Sequence, residues 1–406
     1  MKTYSETLDF LYSQLPQYQK IGSVAYKANL DNIIAICRVL GKPQKKIKTI
    51  HVAGSNGKGS VSHILASILQ EAGYKVGLYT SPHLKDFRER IKINGKEISK
   101  EKVIDFVNEF QPKLKEIRPS FFEWTVGLAF YYFNNEETDI NLIETGLGGR
   151  LDSTNIITPE ISVITNISLE HTAILGDTIE KIAKEKAGII KPSIPVVIGK
   201  TQPETKSLFE EIARENNSNI TFADSIKNKS FEIELKGKIQ QENANTAFHT
   251  IQILDELSYS ISNKNIEEGL KNVVKNTNLL GRFQLVSKNP MIILDTAHNP
   301  DGLRTLVNEV TKLTYKNLRV VIGIAKDKNQ IEMLTQFSKA TCFYFCSSTN
   351  ERVLKGTELK GIANKSGIKG TAFDSVEKAL KKAKLDSQKE DLILVTGSNF
   401  VVADII

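Results

Sequence analysis

The chain has 406 residues, 40% hydrophobic and 25% charged, a balance that excludes a disordered or fibrous protein and supplies enough apolar material for two domains. Its 54 basic and 47 acidic residues leave a net charge of +7 spread along the chain, which argues against nucleic acid as a partner and suits small polyanions. Only Cys37, Cys342 and Cys346 are present, and no apolar run approaches the roughly 18 residues of a membrane span, so a cytoplasmic protein with reduced thiols and no membrane partner is expected.

In chain order, residues 47–53 (IKTIHVA) read as a strand. Val61, Ile64, Leu65, Ile68 and Leu69 then recur at helical spacing as far as Gly73, and the loop GSNGKG joins the two. Residues 76–80 (VGLYT) form the next strand, completing a βαβ unit of parallel type. Short apolar runs at 140–144, 161–166 and 195–199 extend the sheet, whose ligands should gather beyond the carboxyl ends of its strands. Residues 177–191 (DTIEKIAKEKAGIIK) are expected to be a helix. A second series of strands at 291–295, 318–325, 342–346, 370–374 and 391–397 alternates with amphipathic stretches such as Leu303, Leu306, Val307 and Val310. These residues predict a smaller α/β domain, with the linker near 275–280 and no internal repeat.

The glycine loop carries the first chemical signal. Between strand and helix, its backbone N–H groups can approach phosphate oxygens, and Lys58 supplies positive charge. The usual phosphate-loop spacing is not kept, because Gly59 stands where a metal-binding Ser or Thr should follow the lysine and Ser60 comes one position late. The metal must then be held elsewhere. Ser81, Glu144 and His171 follow three different strands and can complete an Mg²⁺ shell that otherwise keeps waters and nucleotide oxygens. Singly, Ser81 reads as a turn before Pro82 and His171 as a loop or cap histidine. Glu144 is a stronger signal, since an unpaired carboxylate buried at a strand end is costly and one beside a cation is not. Lys186 falls on the apolar side of its helix with Ile179 and Ile182, as a snorkelling side chain or as an amine whose pKa is lowered by desolvation. In the smaller domain Asp295 ends a strand, His298, Asn299 and Pro300 follow in a turn, and Gly397, Ser398 and Asn399 form another loop.

Taken in order, HVAGSNGKGSV, GLYTSPHLKDFRERI, ETGLGGRLDSTN, ITNISLEHTAILGDTIEKIAKEKAGIIK, GRFQ, LDTAHNPDGL and VTGSN resemble the folylpolyglutamate synthase and dihydrofolate synthase family of the Mur ligase superfamily, over most of the chain. The resemblance implies an α/β fold with a P-loop ATPase-like parallel-sheet domain at 1–278 and a Rossmann-like domain at 282–406, the two facing each other across a cleft. It implies an ATP-dependent amide ligase that phosphorylates a folate or dihydropteroate carboxylate and lets the α-amino group of L-glutamate displace phosphate. By the same resemblance Asn56, Gly57, Lys58, Gly59 and Ser60 hold the phosphates, Asn243, Arg282 and Asp295 serve the nucleotide, and Ser81, Glu144 and His171 serve Mg²⁺. Lys58, His171 and Lys186 form the catalytic set, and Lys186 matches a lysine carbamylated in many members. His298 and Ser398 match positions near glutamate, and Asp152 lies in a motif of members that accept dihydropteroate. A monomer is expected.

Four positions depart from the family pattern: Ser55 replaces threonine, Ile239 a histidine, Thr296 a glycine and Leu280 a tryptophan. Two rival readings remain. A ligase acting on a cell-wall precursor should carry a further N-terminal domain, yet only about 46 residues precede the first expected strand. A nucleotide-dependent switch would leave the lysine helix and the second domain without a task.

Overall fold

Apolar runs without polar alternation become strands buried on both faces, as in parallel sheets covered by helices. The computed structural model describes residues 1–13, 29–226 and 230–406 and resolves two units, residues 1–234 with 239–278 and residues 235–238 with 279–406. In the first unit the strands are β1 (Thr49–Ala53), β2 (Val76–Tyr79), β3 (Ile91–Ile93), β4 (Lys96–Glu97), β5 (Ile140–Glu144), β6 (Ile161–Ile164), β7 (Val196–Ile198) and β8 (Ile220–Phe222), ordered β4-β3-β2-β5-β1-β6-β7-β8. β1, β2, β5 and β6 are buried at every position, and their mutual pairing is parallel.

Register decides which residues share the ligand edge. Val52 lies opposite Glu144, Ala53 opposite Ile164 and Tyr79 opposite Ile143. The carboxyl ends of β2, β5, β1 and β6 therefore bring Ser81, Glu144, Gly54 and Thr165 to one border. Below it, the helix Lys58–Glu71 is buried along most of its length, and Gly73 (φ 89°) receives the chain as the helix ends. An aromatic core of Phe87, Phe106, Phe110, Phe121, Trp124, Phe130 and Phe133 packs the outer part of this unit.

In the second unit β9 (Gln284–Lys288), β10 (Met291–Leu294), β11 (Leu318–Ile322), β12 (Ala340–Cys346), β13 (Gly370–Phe373) and β14 (Leu392–Thr396) are ordered β13-β12-β11-β14-β10-β9. All are parallel except β9, which pairs antiparallel with β10 at the edge. Asp295 and Ser398 follow β10 and β14, so they lie at the same end of this sheet.

The fold class is the expected α/β, with particular differences. The helix expected over 177–191 is Ile179–Ala187, because Gly188 is pressed against Arg150 and the chain turns there. Among the described residues the strands not foreseen are β3, β4, β8 and β9. β3 and β4 form a hairpin around Asn94 (φ 47°) and Gly95 (φ 72°), the left-handed pair that an Asn-Gly turn favours. The hairpin also grips the end of the helix Val273–Thr277. Lys92 Nζ, buried, donates to the carbonyls of Thr277 (3.0 Å) and Asn278 (3.3 Å), and Asn278 Nδ2 donates to Gly95 O (3.1 Å).

A β-carbon on Gly95 would lie 2.1 Å from Asn276 O, whereas one on Gly41 (φ 80°) would meet nothing within 4 Å. Gly41→Ala should cost about 1 kcal/mol of backbone strain. Gly95→Ala should cost about 1–3 kcal/mol more from the clash. Urea unfolding of both variants measures this, and equal losses would contradict the tight approach.

Candidate active site

The loop after β1 is shaped by what cannot fit there. A β-carbon on Gly54 (φ 142°) would lie 1.9 Å from Thr165 Oγ1, and one on Gly57 (φ 89°) 2.5 Å from Asn243 Oδ1. The segment after β6 braces the loop from one side: Ser55 N donates to Asn166 O (2.8 Å), Asn56 N to Asn166 Oδ1 (2.9 Å), and Thr165 Oγ1 to Asn56 O (2.6 Å). Ser168 N donates to Ser55 Oγ (2.9 Å), and Asn56 Nδ2 to Ser168 Oγ (3.2 Å). No side chain caps the helix that starts after Gly57, which leaves the first-turn N–H groups of Lys58, Gly59 and Ser60 aimed outward with the positive end of the helix dipole. An uncapped helix start of this kind is a favourable place for an anion. Asn243, expected at the nucleotide, sits against it at Gly57.

Two lysines converge on one carbonyl of that loop. Gly54 O accepts from Lys58 Nζ (2.9 Å) and from Lys186 Nζ (2.8 Å), and Lys58 also reaches Ser55 O (3.3 Å). Lys186 is 1% exposed and pairs at 2.8 Å with Glu170, itself 7% exposed. Burial alone would push the Glu170 carboxyl up, but Lys186, then Lys58 and His171, overcome it and hold the group well below its usual range. Burial, with Lys58, draws the Lys186 ammonium down, and Glu170 works against that pull. The expected apolar-side lysine is thus half of a buried ion pair. Glu170 went unread in the sequence, although it stands directly before His171.

Around Glu144 the loop 146–155 is laid onto the helix that carries Lys186. A β-carbon on Gly149 would lie 2.7 Å from Lys186 O, one on Gly188 2.4 Å from Arg150 Cα, and one on Gly146 2.4 Å from the Phe122 ring. Arg150 N donates to Glu185 O (2.7 Å), tying loop to helix. Glu144, 4% exposed, accepts from the Ser81 N–H at 3.4 Å, so these two expected metal positions meet. His171 opens the short helix Thr172–Leu175 with φ 48° and adds to the field on Glu170. Among the described residues no three His, Cys, Asp or Glu side chains form a metal-binding group. One carboxylate beside the backbone of a serine suits Mg²⁺, which binds through few protein oxygens plus waters and phosphate, and does not suit a closed zinc cage.

Asp152, expected at the substrate, lies in the loop that follows β5. It is 3% exposed, its Oδ2 accepts from the N–H groups of Gly146 (2.9 Å) and Leu147 (2.8 Å), and its Oδ1 from Thr154 N (3.0 Å) and Thr154 Oγ1 (2.5 Å). Its carboxylate is the brace of its own loop.

In the second unit Asp295 Oδ2 accepts from Phe283 N (2.8 Å) and Oδ1 from Ala297 N (2.8 Å). Burial pushes this carboxyl up and Arg282 opposes it. Arg282 bonds the hydroxyl of Thr296, which in turn donates to Gly281 O (3.1 Å), so the unusual threonine is built into the arginine's seat. His298 Nδ1 donates to Thr296 O (3.0 Å). Asn299 caps the helix Pro300–Val310 through Gly302 N (2.7 Å), and Ser398 Oγ caps Asn399–Ala403 through Phe400 N (3.2 Å).

A glycine loop and uncapped helix start at the border of a parallel sheet, followed by a second α/β unit, are matched in both halves by known ligase domains. Residues 52–285 match the Mur ligase middle domain and residues 281–399 the Mur ligase, glutamate ligase domain. A Bacillus subtilis dihydrofolate synthase/folylpolyglutamate synthase is 34% identical over 415 residues, covering 93% of this chain and 94% of its own. A probable bifunctional folylpolyglutamate synthase/dihydropteroate synthase of Haloferax volcanii is 31% identical over 428 residues and covers 99% of this chain, which spans 50% of that protein's length. The structure of a Yersinia pestis bifunctional folylpolyglutamate synthase/dihydrofolate synthase complexed with AMPPNP and Mn ion aligns with TM-score 0.85 at 28% identity, covering 99% of this chain and 97% of its own. The chain belongs to the folylpolyglutamate synthase/dihydrofolate synthase family of Mur ligases.

Removing one partner of a buried ion pair strands the other. Glu170→Gln should therefore lower stability by about 3–5 kcal/mol, and Glu170→Gln with Lys186→Met by clearly less. Chemical denaturation of the wild type, both single variants and the double variant gives the coupling; a double variant as unstable as Glu170→Gln would contradict the pairing.

Proposed function

We infer that the protein is an ATP-dependent carbon–nitrogen ligase that adds L-glutamate to folates and to dihydropteroate. The observation that carries the site assignment is the meeting, at one sheet border, of the uncapped helix start with Lys58, the Ser81–Glu144 pair and the buried Lys186.

The first unit binds the nucleotide. The N–H groups from Gly57 to Ser60 receive the phosphates, Lys58 leaves the loop carbonyls to follow the γ-phosphoryl group, and Asn243 flanks the loop at Gly57. A carboxylate is a poor electrophile until an oxygen of it bonds the γ-phosphorus and the bond to ADP breaks. The glutamate amine then bonds the carbonyl carbon of the acyl phosphate, loses a proton and expels phosphate. Holding both partners in line is the main contribution the chain can make to such a step. Ser81, Glu144 and His171 would hold Mg²⁺, which would supply charge neutralisation on the phosphate oxygens. Lys186 fixes Gly54 and with it the pitch of the loop. Its carbamylated form would place an anion beside Glu170, so that form belongs to a state in which a cation shares the site.

Within the second unit, Arg282 and Asp295 are the residues proposed to serve a nucleotide, and His298 and Ser398 those proposed to serve glutamate. Asp152 serves dihydropteroate by holding the loop 146–155 in shape. This chemistry fits a cytoplasmic monomer; among the described residues no helix is long and apolar enough to cross a membrane.

Purified protein given ATP, Mg²⁺ and glutamate should extend dihydropteroate and tetrahydrofolate alike, with ADP release requiring both folate and glutamate. ATP hydrolysis without either would point to a switch protein instead. Lys58→Met should lower kcat by about 100-fold or more, the scale of losing one preorganised donor to transition-state charge, with circular dichroism checking that the variant, which also loses the bonds to Gly54 O and Ser55 O, is folded; a change confined to KM would contradict its role.

A further inference from the structure

His51 belongs to the motif that carries the phosphate loop, yet nothing in the reaction above uses it. It is the third residue of β1, wholly buried, on the same face as Ala53, which packs among Ile182, Ala183 and Ala187 of the lysine helix. Its Nε2 lies 2.9 Å from Thr154 Oγ1, and its Nδ1 has no hydrogen-bond partner among the described residues. A histidine in the middle of a buried parallel strand is expensive unless its polar atoms are put to use.

The hydrogen bonds fix which way its proton points. Thr154 Oγ1 lies 2.5 Å from Asp152 Oδ1 and has a single proton to give. Burial raises the Asp152 carboxyl above its usual range and the bonds from Thr154, Gly146 and Leu147 oppose that pull; with only N–H donors facing it, the carboxylate accepts from the threonine. The threonine oxygen must then accept from histidine, which places the proton on Nε2 and leaves Nδ1 bare. The reverse arrangement would bury an N–H at Nδ1 with no acceptor. Burial, and then the Lys191 ammonium nearby, push the imidazole pKa down to about 3, so the ring stays neutral.

We propose that His51 is a positioning residue: its Nε2–H, passed through the Thr154 hydroxyl to Asp152, sets the loop that follows Glu144 and so orients the acceptor carboxylate. The relay ends on the N–H groups of Gly146 and Leu147, two and three residues beyond Glu144. It begins three residues before Gly54 on the same strand that feeds the phosphate loop. One chain of hydrogen bonds therefore ties the pitch of the phosphate-loop strand to that of the loop beside Glu144. The proposal rests on the folate-ligase reading for the identity of the acceptor, and on geometry alone for the relay.

The test separates donor position from bulk. Glutamine carries an amide N–H about where histidine has Nε2, whereas asparagine reaches only as far as Nδ1. His51→Gln should keep the KM for dihydropteroate and kcat within about twofold of wild type. His51→Asn and His51→Leu should lower kcat/KM for dihydropteroate about tenfold, the equivalent of one hydrogen bond of about 1.4 kcal/mol, with the KM for ATP unchanged. If the histidine variants do not fold, Thr154→Ser, which keeps the hydroxyl, and Thr154→Val, which removes it, pose the same question. Nitrogen-15 NMR of the wild type should find the His51 proton on Nε2 in neutral solution, whatever the protein's activity. A proton on Nδ1, or His51→Gln as impaired as His51→Leu at equal thermal stability, would overturn the proposal. A wild type that extends no folate but keeps the proton on Nε2 would overturn the assigned reaction and the positioning role with it, while leaving the relay in place.

Discussion

The loop after β1 is tied to the rest of its sheet border by an ion pair almost wholly withdrawn from solvent. Lys186 enters from a helix, meets the carbonyl of Gly54 from the end of β1 and pairs with Glu170 from the segment after β6. Stripping an ammonium and a carboxylate of water costs several kcal/mol for each ion, and only close pairing with further hydrogen bonds offsets it. Neither residue can therefore drift without exposing the other to that cost. The ion pair locks three separate pieces of chain to one point, and the glycine loop hangs from that point.

Glycines complete what the ion pair begins. Gly54, Gly57, Gly146, Gly149 and Gly188 each lie where a β-carbon would strike a neighbouring side chain or backbone atom. Close approach of backbone to backbone at Gly149 and Gly188 brings the loop after Glu144 onto the lysine helix, and the Lys186 side chain ties that helix to Gly54. The site is consequently rigid in its peptide groups and sparing in its charged side chains. That suits chemistry in which positioning supplies much of the rate and the nucleotide brings its own charge.

Much of this was legible in the sequence for a simple reason. Strands buried on both faces must be apolar throughout, so TIHVA, INLIE and LILVT announce themselves, and the helix after the phosphate loop does so by its spacing. Half-exposed edge strands carry no such mark, and β8 and β9 were not read. The β3–β4 hairpin did carry one in Asn94–Gly95, but its strands of three and two residues are too short for alternation to speak. At the site, Lys58 and Glu144 were readable because their residue types are costly or unusual in those positions. Glu170 was not, because its partner lies 16 residues further on and only the tertiary fold brings the two together. Asp152 reads from its glycine-rich motif as a ligand residue, and what the sequence could not show is that its oxygens also brace its own loop.

The central claim is that nucleotide phosphates and a divalent ion are held at the border formed by β2, β5, β1 and β6. A crystal structure of the protein with AMPPNP and Mn²⁺ measures it most directly. The phosphates should lie on the N–H groups of residues 57–60 and the ion within about 2–2.5 Å of oxygen from Glu144 and Ser81. Phosphates bound away from Gly54–Ser60, or an ion with neither Ser81 nor Glu144 in its shell, would contradict it.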